Sequence, residues 1–210
     1  MNDAKVVAEK LLEANAVRLS PENPFTWASG WKSPIYCDNR SVLSYPYIRD
    51  FVKSELCNVL FEQFGEAEAL AGVATAGIAW GAMAADQIKL PFLYVRPKPK
   101  DHGLGNQIEG RYEPGQKVVV VEDLVSTGKS SLQAVDALVA AGLEIVGMVS
   151  IFTYDFTVAK EAFEARNIRY QALTSYPVLL ELALERGIIK PEQSELLLKW
   201  REDPANWTGI

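Results

Sequence analysis

Cysteine and histidine are scarce in this 210-residue chain, which carries two cysteines, Cys37 and Cys57, and one histidine, His102. With neither CxxC spacing nor disulfide density, a zinc framework and a disulfide-stapled scaffold are both excluded. Two unpaired thiols in a cytoplasmic setting are expected. Positive charge is also short, with 21 Lys and Arg against 27 Asp and Glu and a formal net charge of −6. A surface broadly committed to nucleic acid or anionic lipid is therefore excluded, and any anionic ligand must be met by a local patch. No apolar run reaches membrane-spanning length: the longest uncharged stretch, 69–85, has 17 residues, against the ~20 that a bilayer requires. Charges at Asp3, Lys5, Glu9, Lys10 and Glu13 interrupt any secretory signal. What the chain does have is core material. Hydrophobic residues make up 49% and charged residues 23%, which suits one domain over 1–210 and no disordered or filamentous class.

The pattern along the chain predicts an amphipathic helix over the first fifteen residues, with Val7 and Leu11 on one face and Asn15 near its end. Residues 20–46 are rich in Pro, Gly, Ser and aromatics, which predicts turns and short extended pieces forming a small N-terminal hood. A helix over 46–64 follows. Short apolar runs then alternate with helical patterns, which predicts an α/β fold with a mostly parallel, twisted sheet flanked by helices. The expected strands are 69–74, 92–95, 117–121, 145–153 and 170–173. The expected helices are 78–87, 129–141 and 158–166, with two more opened by Pro177 and Pro191. Between Val95 and Lys117 the chain holds Pro97, Pro99, Gly103, Gly105, Gly110, Pro114 and Gly115 and no helix or strand pattern. Loops of that length within a compact domain are often active-site lids, so 96–116 is expected to be mobile and catalytic.

The segment VVVVEDLVSTGKS over 118–130 carries the clearest chemistry. Its valines read as a buried parallel strand, and ligands of open α/β sheets sit beyond the carboxyl ends of such strands. Glu122 and Asp123 are thus placed at a cleft. Ser126, Thr127, Gly128, Lys129 and Ser130 then offer backbone N–H groups and hydroxyls at a helix N-terminus, where the macrodipole favours a phosphate. Gly128-Lys129-Ser130 also matches the end of GxxxxGK[ST]. The first glycine of that pattern falls on Asp123, however, which excludes a P-loop NTPase. A carboxylate pair instead suits a diol, whose hydroxyls donate to ionised oxygens.

This segment resembles the thirteen-residue motif of type I phosphoribosyltransferases that binds phosphoribosyl pyrophosphate. The resemblance implies that fold, with Glu122 and Asp123 on the ribose hydroxyls and Leu124 to Ser130 forming the rest of the binding stretch around the 5-phosphate. Two further segments are similar to the orotate phosphoribosyltransferases within that family. Tyr94 to Gly105, YVRPKPKDHGLG, looks like their mobile catalytic loop. Arg96, Lys100 and His102 take the positions of the cations that approach pyrophosphate across a dimer interface. Independently of family, alternating cations kept extended by Pro97 and Pro99 would present charge to a polyanion. Phe25 to Arg40 is similar to the stretch that lies over orotate in those enzymes.

The family resemblance implies transfer of a 5-phosphoribosyl group from phosphoribosyl pyrophosphate to N1 of orotate, in pyrimidine (UMP) biosynthesis. It also implies Mg2+ carried mainly by substrate phosphates, with no metal site of the protein's own, and a homodimer that shares Arg96, Lys100 and His102. No nucleic-acid or membrane partner is expected. Lys100 is the expected principal catalytic group, and Ser126 the expected direct contact to orotate. The chain departs from the family at four places. Ala28 and the 74–77 turn lack a lysine that members often carry, Pro97 replaces a lysine after Arg96, and Phe156 stands where members offer an arginine to the orotate carboxylate. Two alternatives are a phosphoribosyltransferase for another base and a non-enzymatic regulator that binds nucleic acid. The hood and loop segments weigh against the first, and the acidic charge against the second.

Overall fold

A computed structural model describes residues 3–27, 30–98 and 107–207. Helix α1 (Ala4–Glu13) is capped by Asp3, whose carboxylate accepts from the Lys5 and Val6 amides at 3.0 and 3.4 Å. It buries Val7, Ala8 and Leu11, and the chain then turns away with Asn15 at φ +52°, a left-handed conformation that Asn tolerates. The hood contains four short strands, β1 (Val17–Leu19), β2 (Phe25–Thr26), β3 (Lys32–Ser33) and β4 (Ile35–Cys37), pairing antiparallel as β1 with β4 and β2 with β3. A 3-10 helix over Asn39–Ser44 leads into α2 (Pro46–Gln63), with proline in the first turn.

The main sheet then builds as β5 (Ala69–Val73), α3 (Ala76–Ile88), β6 (Phe92–Val95), β7 (Ile108–Glu109), β8 (Lys117–Val125), α4 (Lys129–Ala140), β9 (Glu144–Thr153), α5 (Thr157–Glu164) and β10 (Tyr170–Ser175). Its order is β10-β9-β8-β5-β6-β7, and every neighbouring pair is parallel except β6 with β7. Successive side chains of β8 feed opposite faces. Val119 and Val121 join an apolar layer with α1, α2 and α3, whereas Val118 and Val120 join a layer with α4 and α5. Covering both faces explains why Val118 to Val121 are all valine and all fully buried.

Two elements differ from the sequence expectation. Strand β8 runs on to Val125 rather than stopping at Val121, because Leu124 and Val125 still pair with Phe152 and Thr153 of β9. The acidic pair therefore sits on a strand and not beyond it. Within the stretch expected to lack regular structure, Ile108 and Glu109 pair antiparallel with Val95 and Tyr94. Arg96 N–H donates to the Gln107 carbonyl at 2.9 Å, and the Gln107 amide donates back to the Arg96 carbonyl at 2.9 Å, so a clasp closes the base of the loop.

Helices α6 (Tyr176–Glu185) and α7 (Pro191–Glu202) complete the chain. Trp200 is fully buried among Trp27, Tyr154, Phe156 and Tyr176, with ring centroids 5.3–5.7 Å away. Its indole N–H donates to the Lys32 carbonyl at 3.0 Å, which ties the C-terminal helix to the hood. Among the described residues no helix is long and apolar enough to cross a membrane.

Candidate active site

The carboxyl edge of the sheet carries Arg96 and the predicted residues 122–130. Glu122 is 6% exposed, and its Oε1 accepts from the Asp123 amide at 3.0 Å. Burial, reinforced by the adjacent Asp123 charge, pushes the Glu122 carboxyl well above the usual carboxylate range. Burial also pushes Asp123 up, against the pull of Glu122's hydrogen bond and of the Arg40 charge. The two carboxyls titrate as one unit. With Glu122 buried and Asp123 half-buried, hydroxyl donors from a ligand are the groups that would best restore their lost solvation.

Ser126, Thr127 and Gly128 form the turn between β8 and α4. Gly128 lies at φ +76° as the N-cap and makes no side-chain cap, so the first amides of α4 point outward without a side-chain acceptor. A Cβ at Gly128 would approach the Phe163 ring at 3.2 Å, and the turn is thereby pressed onto α5. Lys129 and Ser130 are exposed, and Val125 is buried in the core under the turn. Leu124 is half-buried against the other apolar layer.

The β5–α3 turn, residues 74–77, lies against β8 just below the acidic pair. A Cβ on Gly72 would fall 2.6 Å from the Gly77 carbonyl oxygen, and one on Gly77 would fall 2.5 Å from that of Val121. Only glycine permits that approach. Arg96 stands at the end of β6, two strands from β8 and so about 10 Å away. Its Nη1 is 3.8 Å from Glu109 Oε1. Lys100 and His102, expected beside it, lie outside the described residues, as does Ala28. A cavity of about 550 Å3 between α5 and β10 is lined by none of the predicted site residues.

Residues 54–170 match the phosphoribosyl transferase domain family. The orotate phosphoribosyltransferase of Phocaeicola vulgatus is 55% identical over 203 residues, covering 97% of this chain and 96% of that protein. The chain belongs to the orotate phosphoribosyltransferases. Among solved structures, the orotate phosphoribosyltransferase of Aeropyrum pernix is similar at a TM-score of 0.72 and 28% identity, covering 83% of this chain and 97% of that one. The UMP synthase of Leishmania donovani is similar at 0.80 and 29%, with 94% of this chain covering 42% of that one.

Set against this orotate phosphoribosyltransferase pattern, Phe156 is 3% exposed and stacks on Tyr154 at 5.4 Å and 12°. A core ring thus stands where the family resemblance led to the expectation of an arginine. The nearby guanidinium of Arg201, on α7, donates to the Asp155 carbonyl at 2.8 Å and to its Oδ2 at 2.9 Å. Arg201 lines a cavity of about 390 Å3 together with Trp31, Thr127 and Phe156. Sequence reasoning gave no role to Arg201, and it took Asp38, Asn39 and Arg40 only as the end of the 25–40 stretch expected over orotate. Asn39 is fully buried, and its amide donates to the Asp123 carbonyl at 2.7 Å. The Asp-x-Arg spacing of 38–40 was a legible turn signal. Its contact with Asp123 was not legible.

Proposed function

We propose that this chain transfers the 5-phosphoribosyl group of phosphoribosyl pyrophosphate to N1 of orotate. The bond from the anomeric carbon to the pyrophosphate oxygen breaks as the bond to N1 forms, giving orotidine 5-phosphate and pyrophosphate. One observation carries this reading: the buried Glu122 and half-buried Asp123 lie two residues before β8 ends, and the strand then leads into the uncapped turn at the start of α4. That order fits a ribose 5-phosphate, with the diol on Glu122 and Asp123 and the phosphate on the amides and hydroxyls of 126–130.

Orotate enters with N1 already ionised, so little general base is needed. Catalysis rests on positioning and on stabilising the charge that grows on the departing pyrophosphate. Arg96, Lys100 and His102 supply that stabilisation, Lys100 foremost, from a 96–116 loop that closes to exclude water. Ser126 reaches from the phosphate turn toward the base. Among the described residues no three His, Cys, Asp or Glu side chains converge. Magnesium, which binds pyrophosphate through hard phosphate oxygens and water, is the cofactor this reading implies. When bound, magnesium neutralises pyrophosphate charge. The working unit is a homodimer in which each subunit lends its loop cations to the other, acting in the cytoplasm, where the thiols of Cys37 and Cys57 stay reduced.

Product analysis with orotate, uracil, adenine and xanthine tests the choice of base. Nucleotide formed from orotate alone is the expected result. Turnover of another base, with orotate inert, would overturn the assignment.

A further inference from the structure

The Asp123 peptide lies where the sheet stops supplying partners. Strand β5 ends at Val73, and its pairing with β8 reaches only Val121. On the other side the register passes from Glu122 opposite Ser150 to Leu124 opposite Phe152. A buried peptide in that position needs other partners, and side chains provide both. The Asp123 N–H donates to Glu122 Oε1, and the Asp123 carbonyl accepts from the Asn39 amide at 2.7 Å, across 84 residues of sequence.

Asn39 is itself held in place. Asp38 N–H donates to the Ala16 carbonyl at 2.7 Å, and the Ser41 hydroxyl to the Asp38 carbonyl at 2.8 Å. The Cys37 thiol contacts Asn39 Oδ1 at 3.5 Å, which leaves the NH2 group toward Asp123, the only end of the amide able to donate. Asp38 also grips Arg40, accepting from Nε at 2.6 Å and from Nη2 at 3.1 Å. This two-pronged geometry fixes where the guanidinium charge stands, and that charge acts on Asp123.

We propose that Asn39 and the Asp38–Arg40 pair are positioning residues for sugar recognition. Asn39 holds the Asp123 peptide so that its carboxylate faces the ribose diol, and Arg40, next to Asn39 in the chain and aimed by Asp38, brings a positive charge to the same end of the hood. Docking of the hood and recognition of the phosphoribosyl donor are then one event. This inference rests on the phosphoribosyl reading of the site and not on the choice of base.

Among the described residues, the charged and titratable groups whose charge bears on Asp123 are Glu122 on its own strand, Cys37 on β4, Asp38 and Arg40 on the hood, and Tyr154 after β9. Among the described residues Arg40 is the cation that acts on Asp123, and it favours the ionised carboxylate. Removing it moves ionisation of Asp123 to higher pH.

The experiment measures binding of phosphoribosyl pyrophosphate by calorimetry, and kcat and KM for each substrate against pH, in the full-length protein. Asn39→Ala should weaken donor binding about 10-fold or more, the effect of leaving a buried acceptor unpaired, while KM for orotate moves less than twofold. Asn39→Asp, which sets oxygen against oxygen, should be worse. Arg40→Gln leaves the core untouched because the Arg40 side chain is 59% exposed. It should shift the acid limb of kcat/KM for the donor to higher pH, and Arg40→Lys should restore it. Unchanged donor affinity in Asn39→Ala together with an unmoved acid limb in Arg40→Gln would overturn the proposal, as would equal losses toward both substrates. The calorimetry needs no acceptor base, so a wrong base would leave its result standing.

Discussion

Burial raises the proton affinity of Glu122, and the sign of that shift determines how stability responds to pH. A carboxyl whose folded pKa lies above its unfolded value contributes stability that is fully present below the unfolded value and lost as pH rises through the folded one. Above the unfolded value, keeping this carboxyl buried is therefore a cost that rises with pH and that the free protein bears. Glu122→Gln keeps an oxygen for the Asp123 amide and removes the charge. It should raise Tm at pH 7 by about 2–4 °C per kcal/mol relieved, leave Tm near pH 4 almost unchanged, and weaken phosphoribosyl pyrophosphate binding. Thermal unfolding at the two pH values checks this, and a Tm that falls at pH 7 would contradict it. The acidic pair was legible because the run from Val118 to Ser130 carries its whole chemistry in consecutive residues. Asn39 was not, because its partner lies 84 residues away and a buried asparagine has no local signature.

Helix α7 is polar on average, yet it supplies the ring at the centre of the aromatic cluster. Trp200→Ala should cost about 3–5 kcal/mol, the range for deleting a large buried aromatic, read as a lower denaturant midpoint at unchanged slope. A loss below about 1 kcal/mol would mean that Trp27, Tyr154 and Phe156 pack adequately without it. Strands β5, β6, β8, β9 and β10 and their helices were legible because buried parallel strands read as unbroken apolar runs between turn signals. Strand β7 was not, since two residues between glycines and prolines carry no period. The far end of β8 was missed because charged side chains usually mark a strand's exit, and here β9 continues to pair beside them. The link between α7 and the hood joins residues 168 apart, and only packing reveals it.

The whole molecule places its chemistry along one edge. Two apolar layers hold a six-stranded sheet, and the turns at the carboxyl ends of β5 and β8, the Arg96 end of β6 and the hood residues 37–40 converge there. The acidic balance of −6 means that the proposed polyanion site must rely on a local group of cations. The departures from the family pattern at Phe156 and the 74–77 turn leave that architecture intact, with a core ring and a glycine contact in their places. Orotate consumption, followed by absorbance with phosphoribosyl pyrophosphate and Mg2+ present and each then omitted in turn, tests the account most directly. Turnover that requires all three is the predicted result; no turnover by a protein that binds the phosphoribosyl donor would contradict it.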